Sequence, residues 1–511
     1  MSPKKILLVY PEVPDTFWRM THALKFFDKR AYSPPLGLLT VAALLPKSWE
    51  RRLMDLNVTT LHPEDLEWAD YVFLSAMNIQ RESARKVIAL CKQAGVKVVA
   101  GGPLFTNEPD EFNDVDHLVL NEAEITLPDF LSDLAHGSPK PVYSTSEFVD
   151  MTTSPLPEYG LVDENAYLLL SLQFSRGCPH QCDFCSVTAL FGRRPRTKTP
   201  TQIITELENI FGLRRKGRIE FVDDNLMCDK QQLKNDLLPA LIKWKRSKRG
   251  VFFSTQISMN LADDSELMDL MYQAGFRSVF IGIESPDINS LRECRKKQNI
   301  GRDLIRQIRQ IQQSGIQVHG GFIIGFDQDP PDIFEQQFEL IQSSGIMIPM
   351  MNLLKALPGT ELYKRLEQEG RIVGPASGDN SQTNIVTRMD RETLFREYHA
   401  LAHRLYSPKN YYERLKSFFR LYKSPRKGFT LSPRLALIAA RCLFWLGLVR
   451  PGRFHFWRAL IWTFLYKRSS LPMFFFLVPL GYHFRCVHEA SAATWRAAAK
   501  MKGRKSEAVE A

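Results

Sequence analysis

The chain has 511 residues, of which 44% are hydrophobic and 24% charged, a globular composition with room for about two or three domains. Eight cysteines in this length argue against a disulfide scaffold, and the early polar residues of MSPKKILLVYP argue against a signal peptide, so we expect a cytoplasmic protein. The net charge of +11 comes from residues 408–511, where 20 Lys or Arg and 4 Asp or Glu give +16.

Residues 1–150 alternate short apolar runs with helical segments. Strands are predicted at ILLVY (6–10), YVFLSA (71–76), VKVVAGG (96–102) and VDHLVL (115–120), and helices at about 37–45, 80–94 and 124–135. This alternation predicts a doubly wound parallel sheet, whose ligands lie at the carboxyl ends of the strands. The segments expected there are PPLG (34–37), SAMNIQ (75–80), GGP (101–103) and NEAE (121–124).

Residues 160–370 form a second series of strands and helices. The predicted strands are LLSLQFS (169–175), RIEFV (218–222), VFFSTQ (251–256), SVFIGI (278–283), VHGGFIIG (318–325) and MIPMMNLL (347–354). Helices are predicted between them near 200–212, 231–246, 264–275, 301–314 and 331–344. Six such units predict a partial, TIM-like (β/α)6 barrel with its site at the carboxyl ends of the strands.

Residues 371–511 are predicted to form a helical, basic and aromatic C-terminal region. Arg441 and Arg458 interrupt its apolar runs at 434–449 and 454–466, and LPMFFFLVPLGY (471–482) has 12 residues. A spanning helix needs about 20 apolar residues, so no transmembrane segment is predicted. Basic residues interleaved with Trp and Phe suit a peripheral contact with the cytoplasmic face of a membrane. The alternative is a helical cap on the barrel with a solvated basic face; nucleic acid is disfavoured, because no nucleic-acid module is recognised.

Three cysteines, Cys178, Cys182 and Cys185, lie in SRGCPHQCDFC directly after the first barrel strand. A structural zinc site would need a fourth ligand, and the local candidate, His180, is only two residues from Cys178. Three thiolates suit a 4Fe–4S cluster with one iron left open for a substrate. Cys228 and Cys294 stay open as sources of a fourth thiolate.

The C-x3-C-x2-C loop after the first strand of a six-unit barrel resembles the radical S-adenosylmethionine (SAM) enzymes. The resemblance implies that the open iron chelates SAM and that reductive cleavage of SAM gives a radical that abstracts hydrogen from an unreactive carbon. It also implies SAM contacts at the strand ends. These would come from FVDDN with Asp223, Asp224 and Asn225, from GIES with Glu284, from RKKQN with Lys296, from FFSTQIS with Gln256, and from GGFIIG with Gly320 and Gly321.

A doubly wound domain ahead of such a barrel resembles the cobalamin-binding radical SAM enzymes, and hopanoid methylases and their uncharacterised relatives most closely. The segments that carry this resemblance are PPLGLLTVAALLP, WADYVFLSAM, VAGGP, LNEAEITLPDF, CDFCSVTALFGRRPRTKTPTQII and NLLKALPGTELY. One departure stands out, since the D-x-H-x-x-G motif of histidine-ligated cobalamin proteins is replaced by Asp55-Leu56-Asn57. Either cobalamin binds without a histidine ligand or the domain has lost it. For the first case the expected corrin surface is Ser75, Gln80, Gly101, Gly102 and Glu122.

The implied reaction is a cobalamin-dependent methylation of an unactivated carbon. It would use a 4Fe–4S cluster, SAM, cobalamin and an external electron donor such as flavodoxin or ferredoxin. The basic, aromatic tail suggests a hydrophobic, hopanoid- or lipid-like small molecule as substrate. One alternative is another radical reaction, such as cyclisation or carbon–carbon coupling, on a natural product or lipid, with a vestigial first domain. The other is a zinc-stabilised binding protein without catalysis.

Overall fold

The computed structural model describes residues 3–376, 378–379, 381–424 and 432–510, with side chains as far as residue 497. Its strands are β1 Lys5–Tyr10, β2 Glu50–Asp55, β3 Tyr71–Ser75, β4 Lys97–Gly101, β5 His117–Val119, β6 Val142–Tyr143, β7 Leu169–Leu172, β8 Ser175–Arg176, β9 Arg196–Thr197, β10 Gly217–Phe221, β11 Val251–Gln256, β12 Phe276–Glu284, β13 Gln317–Ile324 and β14 Pro349–Leu353. Its α-helices are α1 Thr21–Phe27, α2 Leu36–Leu44, α3 Pro63–Trp68, α4 Arg81–Ala94, α5 Pro103–Asn107, α6 Ala123–Ala135, α7 Val187–Phe191, α8 Pro200–Leu213, α9 Lys230–Gln232, α10 Leu238–Lys245, α11 Ser265–Ala274, α12 Ile288–Glu293, α13 Leu304–Gln313, α14 Ile333–Ser344, α15 Glu361–Gln368, α16 Arg391–Tyr406, α17 Pro408–Leu421, α18 Pro433–Phe444, α19 Arg453–Tyr466 and α20 Leu471–Glu510.

The N-terminal sheet is parallel throughout, with the strand order β2-β1-β3-β4-β5-β6. Its central strands are almost wholly apolar and buried, since helices cover both faces. The chain order reverses beside β1, and a ligand crevice forms at such a switch point, outside the carboxyl ends of the strands. The predicted doubly wound sheet is confirmed.

The second sheet has the strand order β7-β10-β11-β12-β13-β14, and every pair is parallel. Helices follow the strands in the predicted alternation, which confirms the six-unit partial barrel. The cysteine loop leaves β7 through a short antiparallel hairpin, β8 with β9, that closes its two ends. This hairpin was not predicted from the sequence.

The strand prediction for the first domain was incomplete. It missed β2, whose sequence ERRLMD carries three charged residues in its first three positions and one at its end. It also missed the two-residue strand β6. Both strands lie at the edges of the sheet, where one side is open to solvent and the apolar pattern is weak.

The first domain and the barrel are joined by polar and apolar contacts. The Tyr167 hydroxyl, just before β7, donates a hydrogen bond of 2.9 Å to the carboxylate of Asp55 at the end of β2. Ala31 and Tyr167 form a parallel bridge. A single continuous core cluster includes residues of α1, the barrel strands and the C-terminal helices.

The C-terminal region is helical, as predicted, but its last helix is much longer than the 12-residue apolar run from which it starts. Within the described residues, one helix, Arg468–Ala497, has the length and apolar content of a membrane span, and 61% of its most apolar window is buried inside the molecule. Phe484 packs on Phe17 and on Tyr406, and Phe474 lies against Phe456. The apolar part of α20 is therefore a core helix between the first domain, the barrel and the other C-terminal helices.

Candidate functional site

The loop with the three cysteines is held in shape by its own backbone and by the neighbouring barrel loops. Gly177 has a φ of +90°, and a Cβ on it would lie 2.9 Å from the carbonyl oxygen of Arg194, so only glycine fits directly before Cys178. The amide of Gly177 donates to the carboxylate of Asp224 at 3.3 Å, and the amide of Asp183 donates to the carbonyl of Cys294 at 3.2 Å. The loop is thereby fixed to the ends of β10 and α12.

The same two influences, burial and the charge of Lys296, act on the pKa values of all three thiols. Burial raises the pKa of Cys178, Cys182 and Cys185, and the ammonium of Lys296 lowers the pKa of each. Among the described residues, no three His, Cys, Asp or Glu side chains are close enough to hold a single metal ion. An iron–sulfur cluster spans more than one ion and takes thiolates as ligands, so the chemistry of this donor set fits a cluster with three protein ligands.

The other candidates for a fourth ligand have different surroundings. The Cys294 thiol is fully buried in a core cluster with Phe326 and Leu354 and donates to the carbonyl of Leu291 at 3.7 Å. The Cys228 thiol donates to the hydroxyl of Ser175 at 3.4 Å. Burial and the charge of Lys296 lower the pKa of His180.

The FVDDN segment ends β10, and its polar residues brace the loops around the cysteines. The buried carboxylate of Asp223 accepts from the amide and, at 2.6 Å, from the hydroxyl of Ser175, and burial raises its pKa to about 7. Asp224 supports Gly177, and the side-chain oxygen of Asn225 accepts from the amide of Ser258 at 3.1 Å. The Asp223 carboxylate is therefore occupied by Ser175, at the start of the loop. Asp224 and Asn225 lie at the end of β10, where SAM contacts were predicted.

Glu284 and Lys296 meet over the end of β12. Their side chains form an ion pair of 2.8 Å, and both are almost wholly buried. Glu284 has a φ of +67°, unusual for a residue with a side chain, and its carbonyl accepts from the Gln337 amide at 3.0 Å. A Cβ on Gly282 would lie 2.2 Å from the carboxylate and 2.7 Å from the ammonium, so a glycine leaves the space that this pair occupies.

The remaining predicted SAM contacts, Gln256, Gly320 and Gly321, lie on two different strands, β11 and β13. Gln256 ends β11 with an exposed side chain. A Cβ on Gly320 would lie 2.7 Å from the ring of Phe322, and one on Gly321 would lie 2.8 Å from the ring of Phe280. These glycines make room for aromatic side chains of the barrel, a role that the sequence pattern did not indicate.

A cavity of about 380 Å³ opens at the carboxyl ends of the N-terminal strands and faces the cysteine loop. From the first domain it is lined by α2, the ends of β3, β4 and β5, and the start of α6; from the barrel side it is lined by Gln173, Arg176, Leu190, Phe191 and Val222. It therefore lies between the two domains, where the predicted reaction requires a shared space.

Four of the five residues predicted for a corrin surface line this cavity: Ser75, Gly101, Gly102 and Glu122. The fifth, Gln80, is buried beside it, donating to the carbonyl of Pro11 at 2.6 Å and accepting from the amide of Met77 at 2.9 Å. Gly37, the last residue of the predicted ligand segment PPLG, also lines the cavity from α2, and a Cβ on it would meet no atom within 4 Å. The predominantly small and apolar wall fits a broad, flat cofactor.

Glu122 does more than line the cavity, because its carboxylate binds the two ends of the cysteine loop. Arg176, two residues before Cys178, lies 2.9 Å from Glu122 and 2.8 Å from Glu124. Arg196, on the returning strand β9, lies 2.8 Å from Glu122 and donates to the carbonyl of Val149 at 2.7 Å. The Glu122 side chain is 1% exposed, so buried ion pairs with Arg176 and Arg196 connect the first domain to the loop.

The segment that replaces the histidine motif has a structural role. The Asp55 carboxylate accepts from the Asn57 amide and the Tyr167 hydroxyl, both at 2.9 Å, and burial raises its pKa. His117 pairs with the carbonyl of Lys140 at 2.8 Å, and His22 packs beside Tyr482. No histidine is among the described residues that line the cavity.

A second, larger cavity of about 560 Å³ lies beyond the 77–80 segment. Loop residues after β1, the start of α4, Tyr398 of α16 and the later part of α20 line it, together with Asp379 and Ser381. Its wall is mixed, with both charged and apolar side chains.

Comparisons with known proteins agree with this arrangement. A family model described as a B12 binding domain matches residues 30–131, one described as the radical SAM superfamily matches residues 172–341, and a domain of unknown function matches residues 360–495. An uncharacterised methyltransferase of Synechocystis sp. is 37% identical over 462 residues, which cover 89% of this chain and 86% of the relative. The hopanoid C-2 methylase of Rhodopseudomonas palustris is 34% identical over 471 residues, which cover 89% of both chains.

Two solved structures share the fold along nearly the whole chain. The cobalamin-dependent SAM radical enzyme OxsB, with aqua-cobalamin and SAM bound, matches with a TM-score of 0.61 at 15% identity and covers 97% of this chain and 80% of its own. The radical SAM methyltransferase TsrM of Kitasatospora setae, with cobalamin and a 4Fe–4S cluster bound, matches with a TM-score of 0.58 at 15% identity and covers 96% of this chain and 100% of its own.

Proposed function

The chain belongs to the cobalamin-dependent radical SAM methyltransferases, and we propose that within this family it methylates an unactivated carbon of a hydrophobic, hopanoid- or lipid-like substrate. As members of this family do, it uses a 4Fe–4S cluster, SAM and cobalamin. The hypothesis of a zinc-stabilised binding protein is wrong. The reaction type, which the sequence left open, is methyl transfer to carbon.

The similarity to the hopanoid C-2 methylase carries the substrate proposal, because 34% identity extends over 89% of both chains, which is more than the first domain and the barrel together. A relative of lower identity, the bacteriochlorophyllide d C-12(1)-methyltransferase of Chlorobaculum tepidum, is 26% identical over 379 residues. One relative is named for a hopanoid and the other for a bacteriochlorophyllide, so their names support a class of substrate more strongly than any one molecule.

The wall of the cavity between the domains supports the same class. Leu190 and Phe191 of α7 face it from the cysteine loop, and Leu36, Leu38 and Val41 face it from α2. Apolar side chains from both domains shield the space where the domains meet, and transfer of apolar groups out of water favours a hydrophobic ligand there.

Separate groups of residues are proposed to hold the cluster and SAM. We propose that Cys178, Cys182 and Cys185 hold the cluster and that Asp224, Asn225, Gln256, Glu284 and Lys296 surround SAM at the strand ends. When bound, these cofactors supply the radical and methyl-transfer chemistry. Arg176, Arg196 and Glu122 orient the cysteine loop toward the first domain, and Leu190 and Phe191 limit the access of water.

Methyl transfer of this kind needs a reductant in addition to the substrate. We propose a small electron-transfer protein, a flavodoxin or a ferredoxin, as the donor. We also propose that the protein works in the cytoplasm, at the membrane face where a lipid substrate is found.

Comparative lipid profiling of the parent strain, a deletion strain and the deletion strain with a complementing copy tests the substrate proposal. Cells grown with methyl-deuterated methionine should contain a lipid that carries the labelled methyl group and is missing from the deletion strain. A complementing copy with Cys182→Ala should fail to restore it, while one with Cys91→Ala, a buried cysteine of the first domain, should restore it. A labelled water-soluble metabolite that disappears instead, with all lipids unchanged, would overturn the proposal.

A further inference from the structure

Helices α18 and α19 and the turn between them expose an unusual number of large apolar side chains. Of 21 exposed large hydrophobic residues in the described part of the chain, 11 lie between residues 437 and 466. They are Leu437, Phe444, Trp445, Leu448, Val449, Phe454, Trp457, Ile461, Phe464, Leu465 and Tyr466. We call this set the hairpin patch. Large exposed apolar patches mark interaction surfaces.

The two helices that carry these exposed side chains are held firmly against the rest of the molecule. Phe456, Ala459 and Thr463 form the buried face of α19, at the spacing of one helix side. The Trp457 indole donates to the carbonyl of Gly447 at 2.9 Å, which ties α19 to the π-helix, Trp445–Val449, that continues α18. Arg441 donates to the carbonyls of Lys25 and Phe26 at 3.2 and 3.3 Å, which fixes α18 to the first domain.

The charge of this region has one sign. Residues 432–488 contain no Asp or Glu, whereas seven basic residues lie between 433 and 468: Arg434, Arg441, Arg450, Arg453, Arg458, Lys467 and Arg468. Several of these side chains lie over the rings of the same region; the Arg468 guanidinium, for example, is 4.3 Å from the Phe464 ring. Exposed Trp and Tyr together with Arg and Lys are typical of side chains that occupy the interface of a bilayer.

We propose that the hairpin patch docks the enzyme on the surface of an anionic lipid bilayer. The apolar side chains enter the boundary between headgroups and acyl chains, and the basic residues contact the phosphates. Neither helix crosses the bilayer, because each is short: α18 and its π-helical continuation span 17 residues, Pro433–Val449, with Arg434 and Arg441 among them, and α19 has 14. The longer apolar helix α20 is excluded from this role, since most of its apolar window is buried in the molecule.

Charge complementarity favours a bilayer over a second copy of the chain. Two copies joined through this patch would bring two sets of basic residues together, with no acidic residue in either patch to neutralise them. An anionic bilayer supplies the missing negative charge and an apolar interior at once. The inference rests on the membrane location in the proposed function and adds the surface that makes the contact; because binding is measured without turnover, its failure is distinguishable from failure of the substrate proposal.

Co-sedimentation of the full-length protein with vesicles tests the inference. We expect binding to vesicles of phosphatidylglycerol and phosphatidylcholine, and much weaker binding to phosphatidylcholine alone or in high salt. The double variant Phe454→Glu with Leu465→Glu should weaken binding roughly tenfold or more, since each change replaces an inserting apolar group by a charge. These side chains are 78% and 65% exposed, so the fold should tolerate both changes.

Leu90→Glu is the matched control, because Leu90 is an exposed apolar residue on helix α4 of the first domain. It should bind vesicles as the unchanged protein does. Equal binding by the double variant would overturn the inference. So would sedimentation of the vesicle-free protein as a dimer that the double variant dissociates, because a second copy would then be the occupant. If the unchanged protein binds vesicles but the lipid profiling finds no labelled lipid that depends on it, only the proposed function is contradicted.

Discussion

The ammonium of Lys296 lies 2.8 Å from the carboxylate of Glu284, and both groups stand over the Cα of Gly282. Both residues were predicted to contact SAM, and the structure pairs them with each other. Because the side chains of both residues are almost wholly buried, the pair fixes a charge of each sign beside the cysteine loop. A bound ligand with an ammonium and a carboxylate could exchange partners with both.

Gly282→Ala should therefore weaken SAM binding. The new Cβ would lie 2.2 Å from the Glu284 carboxylate and 2.7 Å from the Lys296 ammonium, and these flexible ends would have to move. The loss of about one charge-assisted hydrogen bond, about 1.5–3 kcal/mol, corresponds to roughly ten- to hundredfold weaker binding. Calorimetric titration of the cluster-loaded protein with SAM measures the change. Gly212→Ala on α8, where a Cβ meets nothing, is the control; equal affinity in both variants would show that the pair is not part of the SAM site.

Replacement of any one of Cys178, Cys182 and Cys185 by Ala should abolish cluster binding and SAM cleavage. The physical reason is that three ligands are the minimum from this loop, and each lost thiolate exposes an iron. Iron and sulfide content and the formation of 5′-deoxyadenosine measure the result. Cys228→Ser and Cys294→Ala serve as controls and should retain the cluster. A loss of iron in either control would identify a fourth thiolate.

Gly37→Leu should reduce the retention of cobalamin without lowering stability. Gly37 lies on α2 at the wall of the interdomain cavity, where a Cβ meets no atom within 4 Å, so a larger side chain would project into the space. Leu is favoured over Gly in a helix by about 0.5–1 kcal/mol, so thermal stability should be unchanged or higher. The absorbance of bound corrin after anaerobic gel filtration measures occupancy. The same substitution at Gly212 should leave occupancy unaffected, and full occupancy in Gly37→Leu would place the corrin elsewhere.

Glu122→Gln should loosen the cysteine loop from the first domain. Arg176 and Arg196 would each lose a buried anionic partner, and we expect a cost of about 1–3 kcal/mol because the amide still accepts hydrogen bonds. If Glu122 positions the loop, the ratio of 5′-deoxyadenosine to methylated product should rise, while SAM cleavage itself continues. A purely structural role would lower stability and leave this ratio constant. Glu50→Gln, which breaks the exposed ion pair with Arg52, is the control and should change neither quantity.

The sequence predicted those parts of the molecule whose signal is local. Each predicted barrel strand contains at least two consecutive apolar residues, and the three cysteines lie within eight residues of one another. Strand β2 was missed because its exposed edge position permits Glu50, Arg51 and Arg52, which hide the strand pattern. The length of helix α20 could not be predicted from its 12-residue apolar run, because the helix continues through Pro479 and, beyond Tyr482, into polar sequence.

The roles of individual site residues depended on partners far away in the chain. Glu122 was predicted as a corrin contact, but its carboxylate is bound by Arg176 and Arg196, which lie 54 and 74 residues further on. Gly37 belonged to the predicted ligand segment PPLG, but it was not named as a corrin contact, since a glycine at the start of a predicted helix suggests only lower stability. Both positions acquire meaning when the two domains come together around one cavity.

The last prediction concerns Glu220, a carboxyl group inside the barrel whose pKa burial raises to about 7. With Tyr32, Arg218 and His319 it lines a small cavity of about 40 Å³. Burial lowers the pKa of His319 to about 3, so the imidazole is neutral throughout the relevant range. Between the unfolded pKa of 4.5 and about 7, the folded protein holds a proton that the unfolded chain releases. The contribution of Glu220 to stability therefore falls as pH rises through this window and is constant above it.

Glu220→Gln should remove this slope. The variant should gain little at about pH 5 and about 1–3 kcal/mol at pH 8, where the unchanged protein must keep a buried charge. Thermal unfolding of the two proteins at both pH values measures the difference, which should appear as a rise of about 2–4 °C at the higher pH alone. Glu67→Gln on α3 is the control, because Glu67 is exposed and should show no pH-dependent gain. An equal gain at both pH values would show that packing of the amide, and not the charge of Glu220, is responsible.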